Sequence, residues 1–159
     1  MKQHILFVCL GNICRSVAAQ GIFESILERE GAEDRFFVDS AGTYSGHAGE
    51  LADPRMRRAA SARGVELTHR SRAVCYDDFD RFDYIIAMDD SNFDNLQRLA
   101  PTHEATRKIS RMADFIDLAE VDHVPDPYYQ GHQGFEYVLD LLERGCVRLY
   151  DQVGKPTKD

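Results

Sequence analysis

An α/β fold on a parallel sheet covered on both faces is what this 159-residue sequence predicts. Two observations carry that prediction. Short apolar, β-favouring runs alternate with stretches whose apolar residues recur at helical spacing. The first run, Ile5 to Val8, has no polar residue alternating through it, as a strand buried on both faces requires.

The elements follow in order. Residues 4–9 form the first strand. From Ser16 the apolar positions Val17, Ala18, Ala19, Ile22, Phe23, Ile26 and Leu27 keep helical spacing, with Glu24, Glu28, Arg29 and Glu30 opposite and Gly31 as the stop. Phe36 to Ser40 is a second strand. A small-residue loop with Gly42, Tyr44, Gly46, His47 and Gly49 comes next; loops of that length in compact domains carry function or move. Asp53-Pro54 is an N-cap and first helical position, opening a helix to about Ala62 that Gly64 ends. Val65 to Thr68 reads as a short extended piece. Phe82 to Met88 is the third strand. Asp89, Asp90 and Ser91 cap a helix with Phe93, Leu96 and Leu99 inward, and Pro101 ends it. Lys108 to Met112 is a weaker fourth strand, 117–134 is loop, and a last helix runs from about Phe135 to Val153. Right-handed crossovers follow from parallel strands, and ligands in such folds bind beyond the carboxyl ends of the strands. One domain over 1–154 is expected, with 155–159 as a frayed tail.

The net charge of −8 argues against a general nucleic-acid binder, which needs a basic face. No apolar run approaches the ~18 residues of a membrane span, and a start at MKQH leading directly into a strand predicts no secretory leader. A cytoplasmic monomer without nucleic-acid or membrane partners is the expectation. The four cysteines, Cys9, Cys14, Cys75 and Cys146, do not pair as a zinc site would require, so reactive or buried thiols remain and no metal is expected.

The chemistry concentrates in HILFVCLGNICRS. A strand ends at Cys9, a loop of Leu10, Gly11, Asn12, Ile13 and Cys14 follows, and Arg15 and Ser16 open a helix. A curled loop of backbone N–H groups closed by a helix N-terminus holds an oxyanion. The planar fork of Arg15 matches two phosphoryl oxygens. A cation at a helix start is otherwise poorly placed unless an anion accompanies it. Gly11 and Asn12 are residue types that accept left-handed backbone angles cheaply. The same field favours thiolate over thiol at Cys9, and Ser16 is placed to donate a hydrogen bond to the sulfur.

Spacing alone carries little weight: Cys75 and Arg81 repeat it in CYDDFDR, whose interior aspartates would repel an anion. The strand before, the Gly-Asn pair within and the helix after distinguish the first copy. A hydrolase of this kind also needs a general acid. Asp126 in VPDPYYQG is the candidate, stiffened by Pro125 and Pro127, with Tyr128 and Tyr129 as walls for an aromatic ring. Read from composition alone, this stretch is more readily a loop aspartate in a proline turn with two surface tyrosines.

With VCLGNICRS near the start and DPYY late in the chain, the sequence resembles the low-molecular-weight protein tyrosine phosphatases along nearly its whole length. The resemblance implies a Rossmann-like three-layer sandwich with a four-stranded parallel sheet. It also implies cofactor-free hydrolysis of phosphotyrosine in proteins, or of small aryl phosphates, with inorganic phosphate as product. Cys9 would be the nucleophile, Arg15 the holder of the phosphoryl oxygens and Asp126 the acid and then the base. Asn12, Ser40 and His69 match a supporting hydrogen-bond network, Asp89 a position that orients the site, and Cys14 a second loop cysteine able to form a disulfide with the nucleophile.

Three departures stand out. Val17, Ala19 and Gln20 replace a common proline, alanine and glutamate pattern. Gly46 occupies a wall position usually aromatic, with Tyr44 and His47 as substitutes. Serine stands for alanine in THRSR. Arg55, Arg57, Arg58, Arg63, Arg70 and Arg72 are expected as exposed, locally basic side chains. Two other readings share the scaffold. A thioredoxin-coupled arsenate reductase needs two further cysteines close together, whereas Cys75 and Cys146 stand apart. A non-catalytic phosphotyrosine or oxyanion sensor has no use for an intact Cys9, Arg15 and Asp126.

Overall fold

The computed structural model of the protein describes residues 2–154, so the tail expected at 155–159 lies outside the described residues. Strands β1 (Gln3–Cys9), β2 (Phe36–Gly42), β3 (Tyr84–Ala87) and β4 (Ile109–Arg111) form one parallel sheet in the order β2-β1-β3-β4. Six helices accompany it among the described residues: α1 (Arg15–Glu30), α2 (Pro54–Ser61), α3 (Tyr76–Arg81), α4 (Asp90–Leu99), α5 (His103–Thr106) and α6 (His132–Val153).

The continuous apolar run of β1 is explained by burial on both faces. Ile5, Phe7 and Cys9 join the core formed with α1 and α6, while Leu6 and Val8 join Phe79, Phe82, Ile85 and Leu96 on the other face. The result is a Rossmann-like three-layer arrangement. On the first face Phe23 of α1 packs edge-to-face on Phe36 at 5.6 Å and on Tyr150 of α6 at 6.3 Å, locking helix to helix over the sheet. Gly31 ends α1 in the left-handed region (φ 63°), returning N–H groups to the open carbonyls of Leu27 and Glu28.

Several elements differ from expectation. The third strand is Tyr84–Ala87, shorter than 82–88, because Phe82 caps the preceding helix; Met88 still donates to Val8 O at 3.1 Å. That helix, α3, has no apolar period, since YDDFDR is held by a buried aspartate, Asp78, which accepts from Cys75 N at 2.8 Å. Helix α5 is a single turn without a sequence period of its own. Residues 65–68 form no strand; Val65 and Leu67 instead bury against Gly21, where a side chain would meet Leu67. Leu99 is 38% exposed, so the inward stripe of α4 ends at fully buried Leu96. Helix α6 begins at His132, a turn earlier than Phe135.

From β1 the chain steps to β2 on one side, and the sheet continues through β3 on the other. Such a reversal opens a crevice at the carboxyl ends of the strands. Cys9, the last residue of β1, sits at that end, paired with Gly42.

Candidate active site

The loop after β1 is shaped by what its carbonyls do. Cys9 O accepts from Thr43 N (3.0 Å), Leu10 O from Tyr44 N (2.9 Å), Gly11 O from the Ser71 hydroxyl (2.9 Å) and Ile13 O from Asp53 N (2.8 Å). With the carbonyls bonded outward to the scaffold, the amides are turned to the opposite side. Among the described residues the N–H groups of residues 10–14 donate to no protein group. Asn12 supplies the curl, at φ 56°. Gly11 does not take a left-handed angle, contrary to the expectation for the Gly-Asn pair. Its Cβ would instead lie 3.0 Å from the His47 ring.

Asn12 is held in that conformation from both ends of its side chain. Its Nδ2 donates to Ser16 Oγ (2.7 Å) and Ser40 Oγ (3.0 Å), and its Oδ1 accepts from His69 Nε2 (2.9 Å) and Arg72 N (3.1 Å). Ser40 Oγ in turn donates a hydrogen bond to Gln20 Oε1 at 2.6 Å. Burial disfavours the charged form of His69 and holds its pKa below the ordinary value, against the attraction of Asp39 at 3.4 Å. Ser16 Oγ lies 3.0 Å from Cys9 Sγ; since the oxygen accepts from Asn12, its proton is available to the sulfur.

Arg15 is almost wholly buried, at 2% exposure, yet carries its charge at the end of the cleft. Its Nη1 donates to Asp89 Oδ2 (2.7 Å) and to Val124 O (2.9 Å). Burial opposes the guanidinium charge, but Cys9, Asp89 and Asp126 outweigh it and raise the pKa above its already high value. Asp89 also caps α4 through Oδ1, which accepts from Asn92 N.

Cys9, Arg15, Cys14 and Asp126 line one cleft of about 210 Å³, with Leu10, Gly11 and Ile13 as floor and Tyr44, His47, Tyr128 and Tyr129 as walls. That volume suits the head group of one aryl phosphate and is small for a drug-sized ligand. Asp126 Oδ1 accepts from Tyr128 N at 3.0 Å. A side chain at Gly46 would run into the Tyr44 ring, so the bare position lets Tyr44 lie across it and meet His47 edge-on at 6.0 Å. Cys14 is buried, and burial and Asp53 push its thiol pKa strongly up, so it stays protonated beside Cys9.

The repeat spacing leads elsewhere: Cys75 starts α3, and Arg81 lies over the rings of Phe37 and Phe82. Three arginines expected as open surface are committed. Arg63 pairs with Glu136, Asp140 and Glu143, Arg72 with Asp39 and Asp78, and Arg55 with Asp53. Sequence reasoning noted Gly42 and the serine of THRSR, Ser71, but missed that both brace the loop. A Cβ on Gly42 would stand 2.6 Å from Leu10 O and 3.1 Å from Asn12 N, so only glycine lets β2 brace the loop. The signal available was Gly42 itself, closing the second strand level with Cys9.

Residues 4–159 match the sequence model of the low molecular weight phosphotyrosine protein phosphatase family. The low molecular weight protein-tyrosine-phosphatase YfkJ of Bacillus subtilis is 38% identical over 152 residues, covering 95% of this chain and 96% of its own. The crystal structure of a protein tyrosine phosphatase from Entamoeba histolytica, with Hepes in its active site, superposes with a TM-score of 0.93 at 41% identity. It covers 96% of this chain and 97% of that one. A Drosophila arginine phosphatase superposes with a TM-score of 0.90 at 32% identity, covering 99% and 100%. With a matched family model over nearly its whole length and a relative of equal extent, the chain belongs to the low molecular weight protein-tyrosine-phosphatase family.

Proposed function

We propose that the chain hydrolyses phosphotyrosine monoesters in proteins through a phosphocysteine, as one domain over 1–154 acting as a cytoplasmic monomer. Among the described residues no helix is long and apolar enough to cross a membrane. The observation that carries the reading is the cleft shared by Cys9, Arg15 and Asp126, floored by amides whose carbonyls are bonded away.

Cys9 thiolate attacks phosphorus in line. The S–P bond forms as the P–O bond to tyrosine breaks, and the departing oxygen takes the Asp126 proton. Asp126, now a carboxylate, takes a proton from water as water attacks phosphorus. The S–P bond breaks, phosphate leaves and the thiolate returns. Arg15 and the loop amides stabilise the equatorial oxygens in both steps. Ser16 stabilises the sulfur as nucleophile and as leaving group. Leu10, Ile13, Tyr44, Tyr128 and Tyr129 suit an aromatic ring, whereas the guanidinium of phosphoarginine would face a cleft whose one carboxylate is Asp126. The arsenate-reductase relay is disfavoured because Cys75 is exposed at α3 and Cys146 is buried in α6, bonded to Ala19 O; neither lines the cleft.

Hydrolysis of p-nitrophenyl phosphate, phosphotyrosine peptide and phosphoarginine tests this. Phosphotyrosine is the expected preferred substrate. Cys9→Ser is expected to abolish turnover while vanadate still binds; retained turnover, or arsenate reduction at a comparable rate, overturns the reading.

A further inference from the structure

Asp126 is exposed and has one hydrogen bond among the described residues, from the backbone N–H of Tyr128. A carboxylate serving as proton donor needs firmer placement than that. The firmness traces to a side chain outside the cleft lining. Arg55, at the start of α2, grips Asp53 with both edges of its fork, Nε to Oδ1 at 3.1 Å and Nη2 to Oδ2 at 2.8 Å. Its guanidinium carbon lies 5.2 Å from the centre of the Tyr128 ring and 4.8 Å from that of Phe135. Asp53 in turn donates its backbone N–H to Ile13 O of the anion-binding loop.

These contacts form a continuous chain. Ile13 fixes Asp53, Asp53 fixes the Arg55 fork, the fork fixes the Tyr128 ring, and the Tyr128 backbone holds the Asp126 carboxylate. A flat cation bonded at two points and covered by two rings cannot slide without losing one contact or the other. Lysine offers neither the fork nor the flat face. We propose that Arg55 is a positioning residue that ties the Asp126 loop to the phosphate-binding loop and so sets the reach of the general acid. The inference rests on the reading of Asp126 as that acid.

The test compares kcat/KM, which reports steps through phosphoenzyme formation, across aryl phosphates from p-nitrophenyl to phenyl. Arg55→Ala is expected to lose about tenfold or more on phenyl phosphate and under about threefold on p-nitrophenyl phosphate, as loss of proton donation penalises the poorer leaving group. Inhibition by inorganic phosphate should stay within about twofold, because the Asp53–Ile13 bond is a backbone bond. Arg55→Lys should show the same pattern, and it carries the test should Arg55→Ala fail to fold. In an Asp126→Ala background, Arg55→Ala should cost nothing further, since its effect runs through the missing acid. A uniform loss across the series, or a further loss in that background, overturns the proposal. If Asp126→Ala itself is insensitive to the leaving group, the acid assignment falls first and takes the proposal with it.

Discussion

Asp89 holds Arg15 with one carboxylate oxygen, Oδ2 to Nη1 at 2.7 Å, and caps α4 with the other, Oδ1 to Asn92 N at 2.8 Å. One residue therefore ties the helix after β3 to the cation at the start of α1. With Nη1 also donating to Val124 O, one end of the guanidinium is committed to the scaffold. The remaining N–H groups are left for an oxyanion.

Two substitutions separate these duties. Asp89→Asn keeps an oxygen for the cap and loses the charge beside Arg15; Asp89→Ala loses both. Urea unfolding is expected to show the alanine variant less stable than the asparagine variant by about 1 kcal/mol, the usual worth of an N-cap. Both variants should raise the inhibition constant for phosphate, since each loosens Arg15. Equal stability of the two would remove the capping role.

Gly42 sets a second prediction. A methyl group there would press on backbone atoms of Leu10, Gly11 and Asn12, and backbone cannot swing aside as a side chain can. Gly42→Ala is expected to cost about 1–3 kcal/mol of stability, as overpacking does. It should also weaken vanadate binding by distorting the curl at Asn12. Unchanged vanadate affinity would show that the loop tolerates a shift of β2.

The fold was legible wherever burial left a period. β1 and α1 are solvent-excluded along whole faces, and their apolar patterns say so. The short helix α3 was not legible, because its stability comes from the Asp78 carboxylate meeting Arg72 and Cys75 N, contacts between residues that look like solvated charge in sequence. The loop between Cys9 and Ser16 was legible from residue types. Beyond the Ser40 and His69 contacts to Asn12, its bracing was not: the further partners, Ser71 on the Gly11 carbonyl and Arg72 on Asn12 Oδ1, lie 60 residues away. The aromatic wall was legible as substitutes for the bare Gly46: Tyr44 and His47 both line the cleft, and the Tyr44 ring lies over the glycine.

His69 makes stability depend on pH with a definite sign. Burial lowers its folded-state pKa, so folding favours the neutral ring that donates from Nε2 to Asn12 Oδ1. Below the unfolded value of about 6.5 the unfolded chain binds the extra proton more readily than the folded one. This contribution is therefore present above that pH and is lost as pH falls through the folded pKa. Denaturant midpoints at pH 7.5 and pH 5 should differ less in His69→Gln than in the parent. An equal pH dependence in both would assign the effect to other groups.

The Ser16 hydroxyl gives the last prediction. It is fully buried, accepts a hydrogen bond from Asn12 Nδ2 and stands 3.0 Å from the Cys9 sulfur. Removing it leaves the sulfur without that donor both when it attacks and when it departs. Ser16→Ala should therefore lower kcat as well as kcat/KM. The loss should be about tenfold or more, in keeping with a hydrogen bond to a charged partner. Good and poor leaving groups should suffer alike, because the defect sits on the nucleophile and not on the acid. Alkylation of Cys9 by iodoacetate at neutral pH should slow in parallel. A variant that loses turnover but keeps the parent alkylation rate would show that Ser16 acts by holding Asn12 in its left-handed turn and not through the sulfur.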